Sequence, residues 1–232
     1  LNQNDYPIYY TLDGSIPTIN SEIYLDGINL NESTVIRAAV IHPSCVLNEI
    51  STSSFFINED INLPIVSLST HPDNFWDWET GIYVMGSNAS MDYPYFGANF
   101  WEDWEKPIHI EFFELDGTIG FSQDAGVKIF GGWSRGQDQK SLAIFARSAY
   151  GSRAIDYQIF PDKDIDEFKS IVLRNSGNDW YSGENWSSNS MLRDGMATGL
   201  MQNTGVDMQE YRPAVVYING DYWGIHNIRE KV

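Results

Sequence analysis

At 232 residues the chain is long enough for one large domain or two modest ones, each with a real core. Its 32 acidic residues against 14 basic ones give a net charge of −18, which excludes a nucleic-acid partner, since phosphate backbones need clustered cations, and disfavours anionic membranes. No apolar run approaches the ~18 residues of a membrane span, so no membrane insertion is expected. The one cysteine, Cys45, cannot bridge within the chain. The first residues, LNQNDYPIYYTLDG, carry no secretory signal and enter a strand pattern at once, as in a piece taken from a longer protein. Acidity, abundant Asn, Ser and aromatic residues, and scarce Lys fit an extracellular or cell-surface protein.

Residues 1–58 read as β-structure. Ile8 to Leu12 is a short strand ending in the turn Asp13-Gly14-Ser15-Ile16-Pro17, and TVIRAAVI (Thr34 to Ile41) is a β-branched run suited to a buried strand. Ser53 to Ile57 closes this region, and such spacing predicts a small sandwich of the immunoglobulin or fibronectin kind. Asn58 to Asn62 is a polar linker. LPIVSLST (Leu63 to Thr70) is then a strand, Asp73 opens a short helix running to Trp78, and Gly81 to Met85 reads as another strand.

Residues 86–104 form a long aromatic, acidic insertion. Its Trp101 and Trp104 would either stack on sugar rings or plug against the domain. PIHIEFFE (Pro107 to Glu114) alternates as a strand and turns on Asp116-Gly117 into Ile119 and Phe121. The central stretch follows, a strand from Val127 to Phe130, a glycine-rich turn holding Gly131, Gly132, Ser134, Arg135 and Gly136, then Lys140 and a second apolar run, Leu142 to Ala146. Amide groups of such a turn can converge on an anion, and a hydroxyl, a guanidinium and an ammonium would complete a phosphate cradle. The alternative is a hairpin loop with ordinary surface cations.

Further on, Phe160 to Phe168 is an acidic turn without the glycine and closing glutamate of a calcium loop, and SIVLRN (Ser170 to Asn175) is a buried strand. Ser187 to Gln202 is the principal helix expected, with Ser187 or Ser188 as N-cap and Leu192, Met196 and Leu200 on its apolar face. Gly195 and Gly199 in that helix imply close approach of another backbone. Ala214 to Ile218 turns on Asn219-Gly220 into Tyr222 to Arg229, a clear hairpin, with Glu230 just beyond. The four histidines lack ligand spacing, so no metal site is expected.

Two resemblances arise from these motifs. IYYTLDGSIPT, followed by Ser21, Tyr24 and VIRAAV, resembles the accessory β-sandwich at the C-terminal end of chitobiase and β-hexosaminidase proteins, with its opening strand missing. From 63 to 232 the segments LPIVSLST, AGVKIFGGWSRGQDQKSL, YGSRAIDYQIFPD, FKSIVLRNSGNDW, LRDGMATGLM and VVYINGDYWGIHNIREK resemble the CotH (spore coat protein H) family. That resemblance implies a protein-kinase-like domain that uses ATP with Mg or another divalent metal to phosphorylate serine in secreted or coat proteins. The fold class expected is therefore α+β, an incomplete sandwich over 1–58 followed over 63–232 by a mainly antiparallel sheet with one principal helix, like a kinase small lobe.

The same resemblance gives roles to residues. Lys140 would contact the phosphates, Arg135 and Ser134 would sit near the triphosphate, and Glu230 would meet the adenine or ribose or anchor the hinge. Arg193 and Asp194 would hold the helix in register. No stretch resembling the kinase catalytic-loop or metal-binding motifs occurs before Val232, so no catalytic residue is expected within the chain, which should neither transfer phosphate nor need a cofactor by itself. The competing reading is a carbohydrate-binding or adhesion module using Trp101 and Trp104, among Trp76, Trp78, Trp180 and Trp186, with polysaccharide as partner. Glycosidase chemistry through Glu102, Asp103, Glu111 and Glu114 would need two of them facing each other across a cleft.

Overall fold

The computed structural model describes residues 6–41, 49–180, 189–201 and 204–231; Cys45, Trp186, Gln202 and the expected caps Ser187 and Ser188 lie outside them. The first unit is one antiparallel sheet in the order β2–β1–β3–β4, from β1 (Ile8–Thr11), β2 (Glu22–Ile23), β3 (Thr34–Val40) and β4 (Ile50–Phe55). A two-layer sandwich was expected, and among the described residues there is a single layer. The Pro- and Asn-bearing turns between β1 and β3 leave room for only the two-residue β2. Pairing of Val35 with Ser54 and Arg37 with Thr52 puts these four on one face, which turns towards the second unit. There the Ser54 hydroxyl donates to Glu111 at 2.6 Å. Burial pushes the Glu111 carboxyl above its usual range, with the Ser54 bond opposing in part.

The second unit is the mainly antiparallel sheet expected, closed into a barrel. Its strands are β5 (Ile65–Ser69), β6 (Lys106–Phe113), β7 (Ile119–Phe130), β8 (Ser141–Phe145), β11 (Ser170–Arg174), β12 (Tyr211–Ile218) and β13 (Asp221–Glu230), in the order β11–β13–β12–β5–β6–β7–β8. β9 (Ile155–Asp156) and β10 (Glu167–Phe168) form a separate two-stranded ladder. All barrel pairs are antiparallel except β5 with β12, where Val66 lies beside Val216 and Leu68 beside Ile218. Alternation along the strands sends Leu68, Ile110, Phe112, Val127, Leu142, Ile144, Leu173, Val216 and Ile228 into one core.

Helix is scarce. The described residues hold α1 (Asp73–Trp76) and α2 (Arg193–Gly199), so the chain is mostly β and not the α+β fold expected. The anticipated long helix shrinks to seven residues. Gly195 and Gly199 weaken it by about 1 kcal/mol each, and its apolar residues Met196 and Leu200 remain 63% and 74% exposed instead of gaining a packing partner. Gly195 is kept small by a ring and not by a backbone, since a Cβ there would stand 2.7 Å from Tyr211, while nothing approaches Gly199. The strand expected over Gly81 to Met85 is a turn. Ile82 and Tyr83 are buried because they tuck under α1, through Ile82 N–H to Asn74 O and Tyr83 N–H to Phe75 O, both 3.0 Å.

The two units meet turn against turn. Gly14, at φ +82°, lies so near the Asn219-Gly220 hairpin that a Cβ would touch the Asn219 side chain and come within 2.5 Å of Thr70 O. Asn219 Oδ1 is itself held by Thr70 N–H at 2.8 Å, and Arg37 donates to Gly14 O at 2.8 Å. Gly14→Ala is expected to cost about 1–3 kcal/mol, from positive-φ strain and this clash, read as a lower midpoint in chemical denaturation.

Candidate functional site

The glycine-rich turn joins β7 to β8 at one mouth of the barrel. Gly131 adopts φ +111°, and a Cβ on it would lie 2.7 Å from the Ser134 hydroxyl, so glycine is what lets the turn fold back on that side chain. Trp133–Gly136 then makes one 3-10 turn. Arg135 points inward, where Nε donates to Gly131 O at 2.7 Å and Nη1 reaches Phe100 O and Trp101 O at 3.1 and 3.2 Å. Its guanidinium also lies over the Trp101 ring.

Lys140 is only 4% exposed. Its ammonium donates to Gln137 O at 2.6 Å and stands 4.1 Å from the centre of the Phe100 ring and 5.2 Å from that of Tyr83. No carboxylate forms an ion pair with it among the described residues, and burial draws its pKa down from 10.5 to about 8, with Asp138 opposing. The Lys140 amide donates to Tyr83 Oη at 2.7 Å, and the same oxygen accepts the Trp223 indole N–H at 2.9 Å. Behind it, burial drops His226 to about 4, leaving it neutral. Its partners assign the tautomer, with Nδ1 accepting from the Gln139 amide at 3.1 Å and Nε2–H donating to Lys140 O at 3.1 Å.

The aromatic insertion is the lid of this mouth. Tyr93 Oη donates to Trp133 O at 2.9 Å, Phe96 packs on Trp101 with ring centres 4.7 Å apart, and Trp101 Nε1 donates to Pro94 O at 2.8 Å. Trp101 is thus engaged in packing the insertion, whereas Trp104 is 36% exposed with the Lys106 ammonium over its ring. Arg135 and Lys140 both reach Phe100, Arg135 its carbonyl oxygen and Lys140 its ring.

Residues 127–232 match the family model described as CotH kinase protein, and residues 2–55 match the one described as Fn3 associated. Those two stretches are what the chain shares with the CotH kinase and Fn3-associated families. No curated protein matches it.

Within the stretch that matches the CotH model the structure separates the residues named from sequence. Ser134, Arg135 and Lys140 share one mouth of the barrel. Glu230 pairs across β13 with Ile171 at the start of β11, the opposite end, four residues or roughly 13 Å along β13 from His226. There Lys163 binds it at 2.8 Å, beside a cavity of about 640 Å³ also lined by Lys169 and Lys231. Asp194 does tie α2 to the barrel, between Arg174 at 2.7 Å and the buried Arg229 at 2.9 Å, and Arg193 pairs with Asp179 at 3.1 Å. Asp179 caps α2 from afar, accepting from Ser190 N–H and Arg193 N–H at 2.9 and 3.0 Å. Three of the four acids weighed for glycosidase chemistry have partners of their own. Glu111 bonds Ser54, Glu114 bonds Arg212 and Tyr157, and Asp103 bonds Lys128.

Sequence reasoning missed Tyr83, His226, Arg174 and Arg229. His226 alone had a signal, its place two residues before the core Ile228 on β13, because a polar residue at an inward position implies buried partners, whereas Arg229 lies on the opposite face towards α2.

Lys140 makes a pH prediction. Its folded-state pKa lies below the unfolded value, so its contribution to stability is present above pH 10.5 and lost as pH falls towards 8. At pH 7 the ammonium therefore opposes folding. Lys140→Met should raise stability there by about 1–3 kcal/mol, with the gain shrinking as pH approaches the unfolded value, in melts compared across pH.

Proposed function

We propose that this chain is the nucleotide-facing part of an atypical ATP-dependent protein kinase of the cell surface or exterior, acting on serine in secreted or coat proteins, with the barrel in the role of a kinase small lobe. The observation that carries the reading is Lys140, a water-excluded ammonium without a paired carboxylate, at the end of a glycine-rich turn in the stretch that matches the CotH model. A buried cation left in this state is costly to stability, and the reason to retain it is an anion that arrives later.

Lys140 would hold phosphate oxygens as a point charge, and the Ser134 hydroxyl would donate to them. Arg135 keeps the turn closed through the Phe100 and Trp101 carbonyls and adds positive potential at the mouth. Bound ATP would supply the transferable phosphoryl group. Because the Phe100 ring covers the Lys140 ammonium, its displacement is part of binding. Glu230, at the far mouth, would act at a lobe junction and not on the phosphates. No group of three His, Cys, Asp or Glu side chains among the described residues could hold a metal ion, and a divalent cation arriving with ATP would lean on the phosphates and on at most one or two carboxylates. The adhesion reading rests on the exposed indole of Trp104, since Trp101 is occupied within the insertion.

Titration calorimetry with ATP tests this directly. Binding should be lost in Lys140→Ala and tightened about fivefold in Phe100→Ala, where no ring has to leave the ammonium. Equal affinity in the wild type and Lys140→Ala would sink the proposal. Loss of glycan binding in Trp104→Ala, with ATP inert, would install the adhesion reading instead.

A further inference from the structure

The first sheet covers one flank of the barrel. Strand alternation that sends Leu68, Ile110 and Phe112 inward turns Ser67 of β5 and Glu111 and Phe113 of β6 outward, and all three are nonetheless buried. What covers them is β4 and the residues just after it. Phe56 seals the apolar part of this junction, its ring centre 4.8 Å from that of Tyr217 and 5.3 Å from that of Phe113. The polar part is a chain of oxygens, in which Ser54 Oγ stands 2.7 Å from Ser67 Oγ and donates to Glu111 Oε2 at 2.6 Å.

Glu111 is 3% exposed and forms no ion pair among the described residues. The groups round it do not supply one. From the first sheet comes Arg37, the one lysine or arginine of residues 1–58, which donates to Gly14 O at 2.8 Å and whose charge is answered by Asp124. Two residues along β6, His109 is held between Asp124 Oδ1 at 2.7 Å and Ser122 Oγ at 2.9 Å. Its charge, when it carries one, favours the ionised carboxylate, but burial outweighs it. β7 sets Ser122 directly across from Glu111, and β12 brings Tyr217, engaged by Glu59, beside Ser67. Ser69 Oγ and Arg37 Nε are buried without a hydrogen-bond partner among the described residues.

An ionised carboxylate served by one serine is better solvated by water, and water reaches it when the first sheet lifts away. Protonation removes that preference. Glu111 holds its proton more readily in the closed junction than in the open one, so closure strengthens as pH falls through the closed-state value and gains nothing further below the ordinary 4.5. We propose that this junction is an acid-operated latch: with Glu111 ionised the first sheet is free to lift from the barrel, and with Glu111 protonated it is held down. No residue of the nucleotide reading takes part, so the two stand or fall separately.

Hydroxyl-radical footprinting of the whole chain across a urea series tests the latch. Oxidation of Phe113 and Tyr217 reports the junction, and oxidation of Phe112, inside the barrel, reports global unfolding. In the wild type at pH 7.5 the urea midpoint for Phe113 and Tyr217 should lie below that for Phe112, and it should climb towards it as pH falls to 5. Glu111→Gln keeps an acceptor for Ser54 and has no charge to lose. It should lower the junction-opening constant about fivefold at pH 7.5, with the gap to wild type shrinking towards pH 5. Ser54→Ala keeps the charge and removes its donor, so it should bring the junction midpoint down at pH 7.5. The control Asp162→Asn removes one charge from an exposed turn elsewhere and should follow the wild type at every pH. If Glu111→Gln fails to fold, the wild-type midpoints and Ser54→Ala still decide. The proposal is overturned if Glu111→Gln keeps the wild-type pH response, if Asp162→Asn removes that response as fully, or if Ser54→Ala leaves the midpoint in place. It is overturned too if Phe112, Phe113 and Tyr217 react together at every urea concentration, which would leave Glu111 a part of global stability alone.

Discussion

The parallel pairing of β5 with β12 is the constraint on which the other features hang. It joins strands some 150 residues apart in the chain and closes the barrel, with Val215 N–H bonded to Pro64 O and Asn219 N–H to Leu68 O, both at 2.9 Å. Between β5 and its antiparallel neighbour β6 the chain makes a long excursion over one mouth of the barrel, through α1, the buried turn at Ile82 and Tyr83, and the aromatic insertion that lids Lys140. The β5–β12 pairing brings Asn219 to Thr70, which sets the hairpin turn against the first sheet and creates the cleft between the units.

The distribution of charge follows from this geometry. A chain with few cations places several of them inside or half inside: Lys140 under Phe100, Arg229 behind Asp194, Arg212 against Glu114 and the Phe112 ring, Arg135 on main-chain carbonyls. Acidic residues are left to dominate the outside. The surface field is therefore stronger than composition alone implies, and the cleft between the units, with no lysine, arginine or histidine in its lining among the described residues, concentrates it.

What was legible in the sequence was local. Asp116-Gly117 and Asn219-Gly220 announce their hairpins, the β-branched run at Thr34 to Val40 is a strand, and the glycine-rich turn between two apolar runs joins β7 to β8 as its pattern implies. The same reasoning failed where a distant partner decides the outcome. The apolar run at Gly81 to Met85 reports burial correctly, yet the burial comes from packing under α1 and not from a ladder. The apolar spacing in Leu192 to Leu200 promises a buried helical face, and only tertiary contact could have extended that helix past its glycines. Capping of α2 by Asp179 and the clamp of Asp194 between Arg174 and Arg229 span too much sequence for any local rule. Lys140 could be picked from its place after the turn, but its occlusion by a ring forty residues earlier could not.

The Tyr83 hydroxyl has one oxygen and two callers, the amide at Lys140 and the indole at Trp223. Trp223 in turn leans on Trp76, which walls the cleft. A shift of either tryptophan tugs on the bond that seats the lysine backbone, and a shift of that backbone tugs on the tryptophans. Any free energy that a molecule bound at one end of this chain of contacts sent to the other would, by thermodynamic reciprocity, be returned in equal measure.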